Sequence, residues 1–266
     1  MGVVNVTPDS YSDGGFLADA YAAVDHGLAL AAADADILDI GGESTRPGAE
    51  PVPVERELER VMPVIDGLRD AGCKTPISID TRKADVARQA LAANAQVFND
   101  VSALSFDADS PAVAKDAEAV CLMHAQGDPR TMQDNPQYEN VLLDVYDYLA
   151  GRVAACVAAG IPHHRIIVDP GIGFGKTIEH NLALLRGLSL FHALGCPVLL
   201  GVSRKGFIGR LSGELDATQR VPGSVAAGLA GLAQGVQILR VHDVAEHTQA
   251  IAIWQAIQDG MGKDLT

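Results

Sequence analysis

Short apolar runs alternating with stretches of helical period predict an α/β protein folded as one (β/α)8 barrel, the TIM-barrel architecture, in a single domain over residues 1–266. Three observations carry this. Runs rich in β-branched residues recur eight times, each is followed by a helical pattern, and no Pro/Gly/Ser-rich linker or change in composition divides the chain. The length of 266 residues suits one barrel, which commonly fills about 250. An open doubly wound sheet is the competing arrangement.

The runs are Gly2 to Val6, Asp36 to Ile40, Pro76 to Ile79, Gln96 to Phe98, Ala119 to Met123, Arg165 to Val168, Pro197 to Gly201 and Gln237 to Val241. Among the helices, the clearest pattern places Val54, Leu58, Val61, Ile65 and Leu68 on one face, with Glu55, Arg56, Glu59 and Arg60 pointing away. Further helices are predicted over Asp85 to Ala93, Val141 to Ala159 and Asp243 to Gln258. The last opens on an Asp suited to N-capping and closes before Gly260.

Composition narrows the function. With 48% hydrophobic and 20% charged residues the chain can bury a large core, which excludes disorder and collagen-like repeats. Acidic residues outnumber basic ones, 34 to 20, so the net charge of -14 opposes binding to nucleic acid or to an anionic membrane surface. An anionic ligand would need a local cluster of cations. Cys73, Cys121, Cys156 and Cys196 form no C-x-x-C pair and read as buried thiols of a reducing compartment. With no leader-like start and no apolar run long enough to span a bilayer, the protein is expected to be soluble and cytoplasmic.

A barrel carries its chemistry at the C-terminal ends of its strands. At or just past the runs lie Asn5, Asp39, Asp80, Asn99, His124, Asp169, Ser203 with Lys205, and Arg240 with His242. Any one of these could cap a helix or form a turn, but one at every strand end on the same predicted face exceeds what capping explains. The loops Asn5 to Gly15 and Gly41 to Glu50 are longer and more polar than minimal connections, and Thr45-Arg46-Pro47 sets a guanidinium fork suited to phosphate or carboxylate just after a strand.

Ser78-Ile79-Asp80-Thr81 and Phe98-Asn99-Asp100 bring a carboxylate and a carboxamide to neighbouring strand ends. There they could read a flat heterocycle, act as an acid/base pair or hold a metal. The segment Asp169 to Thr177 lacks both the Walker A and the dinucleotide spacing. It reads as a loop kept thin so that a ligand can approach its backbone, with Asp169 at its base and Phe174 as a wall. Lys205, Arg240 and His242 bring cations to the last two strand ends, where many barrels bind phosphate. Arg204, His163, His164 and Lys115 read as surface charges, and Trp254 as a core or oligomer contact.

Taken together, these segments resemble the dihydropteroate synthase family of pterin-binding barrels. The match runs through Met1 to Gly15, Glu43 to Gly48, Ser78 to Thr81, Asn99 to Val101, Leu122 to His124, Asp169 to Lys176, Ser203 to Lys205 and Arg240 to Asp243. The resemblance implies condensation of 6-hydroxymethyl-7,8-dihydropterin diphosphate with p-aminobenzoate, giving 7,8-dihydropteroate and diphosphate in folate biosynthesis. It implies that Asp80, Asn99 and Asp169 hold the donor-rich edge of the pterin, with Lys205 at its carbonyl and Met123 beneath the ring. The diphosphate would lie on Thr45, Arg46, Arg240 and His242, with Mg2+ held by Asn5 and phosphate oxygens and ordered by Asp13. The p-aminobenzoate, or a sulfonamide analogue, would meet Tyr11, Pro47, Phe174 and Ser203.

By the same resemblance Asp13, Arg46, Lys205, Arg240 and His242 serve catalysis, the reaction is dissociative, and no protein nucleophile is required. A homodimer is expected through the last helices, where Val225, Leu229, Leu232 and Trp254 lie. The chain departs from the family in Tyr11, where Phe is usual, in Gly206, where Ser is common, and in a start almost inside the first strand, which implies a shortened N-terminus. Two other activities are compatible with a pterin-binding barrel. A methyltransferase acting between methyl-tetrahydrofolate and a corrinoid would give Arg46, Arg240 and His242 no diphosphate to bind. A paralogue that binds pterin without turnover would have no need of Asn5, Asp13, Thr45 and Arg46.

Overall fold

Strands buried on both faces read as continuous apolar runs, and each of the eight runs forms a parallel strand. A computed structural model describes residues 1–6, 16–44, 49–127 and 131–259. The strands are β1 (Gly2–Asn5), β2 (Leu38–Gly41), β3 (Ile77–Asp80), β4 (Val97–Asp100), β5 (Ala119–Met123), β6 (Ile166–Asp169), β7 (Leu199–Leu200) and β8 (Ile238–Leu239). Between and after them run α1 (Phe16–Ala32), α2 (Val54–Asp70), α3 (Ala84–Ala92), α4 (Ser110–Val113), α5 (Val141–Ala158), α6 (Ile178–Arg186), α7 (Gly206–Ser212), α8 (Val221–Leu232) and α9 (Val244–Asp259). The expected helices thus stand within a residue or two of their sequence limits.

β1 to β6 form one sheet in chain order, and β7 pairs with β8. Two single bridges, Val168 to Val198 and Gly2 to Val241, join these parts into a ring. Main-chain bonds from Val168 N to Pro197 O (3.0 Å), Val3 N to Val241 O (2.9 Å) and Val241 N to Met1 O (2.9 Å) close the seams. The competing open sheet is thereby excluded.

Because side chains alternate along a strand, the ring has two apolar compartments. The larger packs outward-facing strand residues such as Val4, Ile40, Ile79, Phe98 and Leu122 against the helices. The smaller lies inside the ring and consists of Met1, Cys121, Ile167 and Leu199. The same inward face, followed towards the strand ends, turns polar. Asn5 pairs in register with Gly41, Gly41 with Asp80, Asp80 with Asn99, and Met123 with Asp169. The sequence therefore builds an apolar floor beneath a polar mouth.

Several sequence expectations need correction. Asp39 is not at a strand end but within β2, fully buried. Arg60 does not simply face away from the core, since its Nη1 donates to Gly42 O at 2.7 Å. Asp243, expected to cap α9, holds Arg204 through its carboxylate, with Arg204 Nε 3.0 Å from Asp243 Oδ2. Arg204 is accordingly a structural ion pair and not a loose surface charge.

Candidate active site at the mouth of the barrel

The floor residues exclude water from below, so every charge above them is partly desolvated and must find partners. Asp39, Asp80, Asn99 and Arg240 do so among themselves, while Asp169 and Lys205 bond main-chain groups of the loop after β6. Arg240 Nε donates to Asp39 Oδ2 at 2.6 Å and its Nη2 to Asp80 Oδ2 at 2.7 Å. Asn99 Nδ2 lies 3.4 and 3.3 Å from the two Asp39 oxygens. Burial pushes the Asp80 carboxyl up to about 7, Arg240 opposing and Asp39 adding to the shift. The pKa of Arg240 is raised as well: burial opposes its charge, but the Asp39 and Asp80 carboxylates beside it outweigh that cost.

Asp169 closes β6 and accepts from Gly171 N at 2.7 Å. Burial raises its pKa, with Lys205 the largest opposing influence. Lys205, after β7, is lowered to about 8 by burial against the attraction of Asp169. A methyl group placed at Gly201 would lie 3.9 Å from both Asp169 Oδ2 and Lys205 Nζ and 4.0 Å from Arg240 Cβ, so β6, β7 and β8 deliver these groups to one spot. The mouth sets three carboxylates against two cations. An acceptor-rich wall of this kind fits a flat heterocycle presenting N–H donors, while Lys205 faces an acceptor on it.

Around this centre lie the other predicted contacts. Met123 ends β5 and is buried. Lys205 Nζ stands 4.5 Å from the centroid of the half-buried Phe174 ring, a cation–π contact, and also donates to Ile172 O. Ser203 Oγ accepts from His242 N at 3.1 Å and lies 3.0 Å from His242 Nδ1, so residues expected at the two different substrates touch each other. Gly171, Gly173 and Gly175 all have positive φ (68°, 86° and 62°). A Cβ on Gly171 would come within 1.8 Å of His124 O, so this loop can lie so close to β5 only as glycine.

Residues 1–242 match the model of the family described as pterin binding enzyme. The chain belongs to the pterin binding enzyme family. It is 50% identical over 263 residues to a dihydropteroate synthase of Neisseria meningitidis, covering 97% of this chain and 92% of that one. Its fold is similar to that of Xanthomonas albilineans dihydropteroate synthase with 4-aminobenzoic acid, with a TM-score of 0.91, 49% identity and coverage of 97% and 92% of the two chains. A second structure of the Xanthomonas albilineans enzyme, in complex with 7,8-dihydropteroate, gives a TM-score of 0.88 at 46% identity, with the same coverage.

Within this pterin binding enzyme, Asp80, Asn99, Met123, Asp169, Phe174, Ser203, Lys205, Arg240 and His242 are all placed at or beside the mouth, and Asn5 ends β1 there. Tyr11, Asp13, Thr45, Arg46 and Pro47 lie outside the described residues. Arg240, expected at the diphosphate, has two nitrogens committed to Asp39 and Asp80. Sequence reasoning gave Asp39 no role, although its position two residues before Gly41 puts it on the inward face with Asp80's row.

The sequence pattern also gave no sign of a buried network beside the second loop. Glu43 Oε1 accepts from Val52 N at 2.9 Å, while Lys83 Nζ bridges Glu43 Oε2 (2.9 Å) and Glu57 Oε2 (2.5 Å), and Arg82 Nε reaches Glu43 at 3.1 Å. Burial works against the Glu43 charge, yet the Val52 amide, Arg82 and Lys83 hold its pKa below the usual range. His124 likewise turns away from the mouth, onto Lys176, with its ring edge-on to Tyr148.

Proposed function

We propose that this chain, as one barrel domain, is a dihydropteroate synthase that joins p-aminobenzoate to 6-hydroxymethyl-7,8-dihydropterin diphosphate, forming 7,8-dihydropteroate and releasing diphosphate. The observation that carries this reading is the desolvated set of Asp80, Asn99 and Asp169 facing Lys205 above an apolar floor. The carboxylates accept from the amino group and ring N–H of the pterin, Lys205 donates to its carbonyl oxygen, and Met123 packs under the ring. Phe174 and Ser203 border the p-aminobenzoate, and the family resemblance adds Tyr11 and Pro47 to its contacts.

In the reaction the C–O bond to diphosphate breaks, and the electron pair leaves with the diphosphate. The carbocation is stabilised by the pterin and by the carboxyl oxygens of Asp80 and Asp169, already oriented before the bond breaks. The arylamine nitrogen then forms the C–N bond with its lone pair, and the proton it loses passes to the released diphosphate or to water. His242, Thr45 and Arg46 receive the diphosphate. Arg240 adds positive charge to that side while its Nη2 holds Asp80 and its Nε holds Asp39 in place. Asp13 shields the cation.

Magnesium fits this site in kind. Asn5 offers an amide oxygen at the end of β1, and phosphate oxygens and water would complete the ligand set that Mg2+ prefers. Among the described residues no three acidic, His or Cys side chains gather to hold a metal, so the ion would depend on the substrate's phosphates. It would withdraw negative charge from the leaving group.

A homodimer through α8 and α9 is part of the reading. Val225 and Leu229 are only half-buried, and Ile253 and Ile257 are exposed on α9. The four free, buried cysteines suit a reducing cytoplasm, and no helix among the described residues is long and apolar enough to cross a membrane. The test is a coupled diphosphate-release assay with the dihydropterin diphosphate and Mg2+. Release that depends on p-aminobenzoate is expected, and its absence overturns the reading. Light scattering decides the dimer.

A further inference from the structure

A glycine-rich βα loop with three left-handed residues would ordinarily be soft, because glycine loses the most conformational freedom on ordering. Here the carbonyls from Gly171 to Gly175 are all engaged. Gly171 O accepts from Phe174 N at 3.1 Å. Ile172 O accepts from Lys205, Gly173 O from Gln133 Nε2 at 2.7 Å, Phe174 O from Lys176 Nζ at 3.0 Å, and Gly175 O from Tyr138 Oη at 2.8 Å. The loop's amides are tied as well, Gly171 N to Asp169 Oδ1 and Gly173 N to Asn181 Oδ1, each at 2.7 Å.

Lys176 is the innermost of these ties. It is buried, has no carboxylate partner among the described residues, and its Nζ has three hydrogen-bond partners: His124 Nδ1 at 2.9 Å, His124 O at 3.3 Å and Phe174 O at 3.0 Å. Burial holds the Lys176 amine well below the usual lysine range, against the attraction of Asp169, and Lys176 Nζ and His124 Nδ1 stay paired whichever of the two carries the shared proton. Burial, and then Lys176, push His124 down to about 3, which keeps the ring neutral at any working pH. Lys176 thus fastens the glycine loop to the end of β5, and Tyr138, from the connection that follows β5, fastens the loop's far end.

We propose that Lys176 and Tyr138 are positioning residues. By locking the Phe174 and Gly175 carbonyls to the β5 side of the barrel, they set the Phe174 ring against Lys205 and so fix the p-aminobenzoate side of the pocket. The inference rests on the reading of Phe174 as a wall of that pocket. Of the pterin contacts, Asp80 and Asn99 come from β3 and β4, which the clamp does not touch, and Asp169 and Lys205 meet the loop at Gly171 and Ile172, before the clamped carbonyls of Phe174 and Gly175. A loosened loop therefore weakens p-aminobenzoate more than the pterin.

The test uses Lys176→Met, which keeps the apolar stem and removes the donors, and Tyr138→Phe, which removes one hydroxyl from a half-buried ring. In the intact protein without substrate, hydrogen–deuterium exchange of the 171–176 segment is expected to quicken in both variants, with β3 and β4 unchanged. In steady-state kinetics KM for p-aminobenzoate is expected to rise about tenfold for Lys176→Met and about threefold for Tyr138→Phe, while kcat and KM for the pterin substrate stay within about twofold, the signature of lost uniform binding. Unchanged exchange in the loop, or equal weakening of both substrates, overturns the proposal. If Lys176→Met fails to fold, Tyr138→Phe decides by the same criteria. If the wild type releases no diphosphate, the functional reading falls, and exchange alone still decides whether the clamp holds the loop.

Discussion

Replacing Arg240 with Met leaves Asp39 and Asp80 facing the barrel interior without the guanidinium that both now contact, at 2.6 and 2.7 Å. Asp39 is fully buried and Asp80 nearly so, while the Arg240 side chain is only 23% exposed, so solvent cannot replace it. Removing one partner of a buried ion pair costs about 3–5 kcal/mol, because the remaining charge stays desolvated. For a chain of this size that corresponds to a fall in Tm of roughly 10 °C. Asp80 then gives the loss a pH dependence whose sign can be worked out. Burial has raised its folded pKa from the usual aspartate value of 3.8 to about 7, so the folded state binds the extra proton between these values. Its contribution to stability is fullest below the unfolded pKa and is lost as pH rises through the folded one. Arg240 is the influence that lowers this pKa, so the variant holds the proton to still higher pH. The deficit relative to wild type should be largest near pH 8 and shrink towards pH 5.5. Urea denaturation of both proteins at the two pH values measures it. A deficit below about 1 kcal/mol, of the size expected for an exposed pair, or one independent of pH, would refute the argument; Arg56→Ala, which breaks the exposed Arg56–Glu59 pair, serves as the control.

His124 supplies a second pH effect of opposite sign. Its folded pKa lies at about 3 against the usual histidine value of 6.5, so stability is full above 6.5 and falls as pH drops towards 3, by up to about 5 kcal/mol. An NMR titration of the ring with a midpoint near 6.5 would contradict this. Lys83→Met strands Glu43 and Glu57 in the interior and should cost about 3 kcal/mol in thermal or urea melts, with much of the loss recovered by adding Glu57→Leu. Gly171→Ala drives a methyl into His124 O at a left-handed φ of 68° and should abolish folding or activity. Gly206→Ser, by contrast, meets nothing within 4 Å at the exposed start of α7, and melting and kcat/KM should both stay at wild-type values.

How much of this was legible depends on which periodicity carried it. The eight strands show because their apolar runs must bury both faces, and α2 and α5 show because Val61, Ile65 and Leu68, or Val145, Leu149 and Val153, repeat at helical spacing. Asp80, Asn99 and Asp169 could be placed because a strand end is marked by where the apolar run stops. The partners chosen by these residues were not legible. Asp39 meets Arg240 across a sequence gap of 201 residues, and Lys83 meets Glu43 across 40; no local pattern records such contacts. The Arg204–Asp243 pair was missed for the same reason, since each residue alone looks like a surface charge or a cap. Lys176 was hidden differently: in sequence it only ends a glycine loop, and its burial follows from how closely three glycines let that loop approach β5.

The ring is closed unevenly. Six strands share continuous ladders, whereas β7 and β8 contribute two residues each and join their neighbours through single bridges. Asp39, Asp80 and Asp169 stand on the continuous part, and Lys205, Arg240 and His242 all stand just past the short clasp. Arg240 is therefore a rivet across a seam, and any small molecule that grips Asp80 on one side and Lys205 on the other is a second one. Occupancy of the mouth and integrity of the ring are then one equilibrium, in which each bound substrate makes the barrel harder to open.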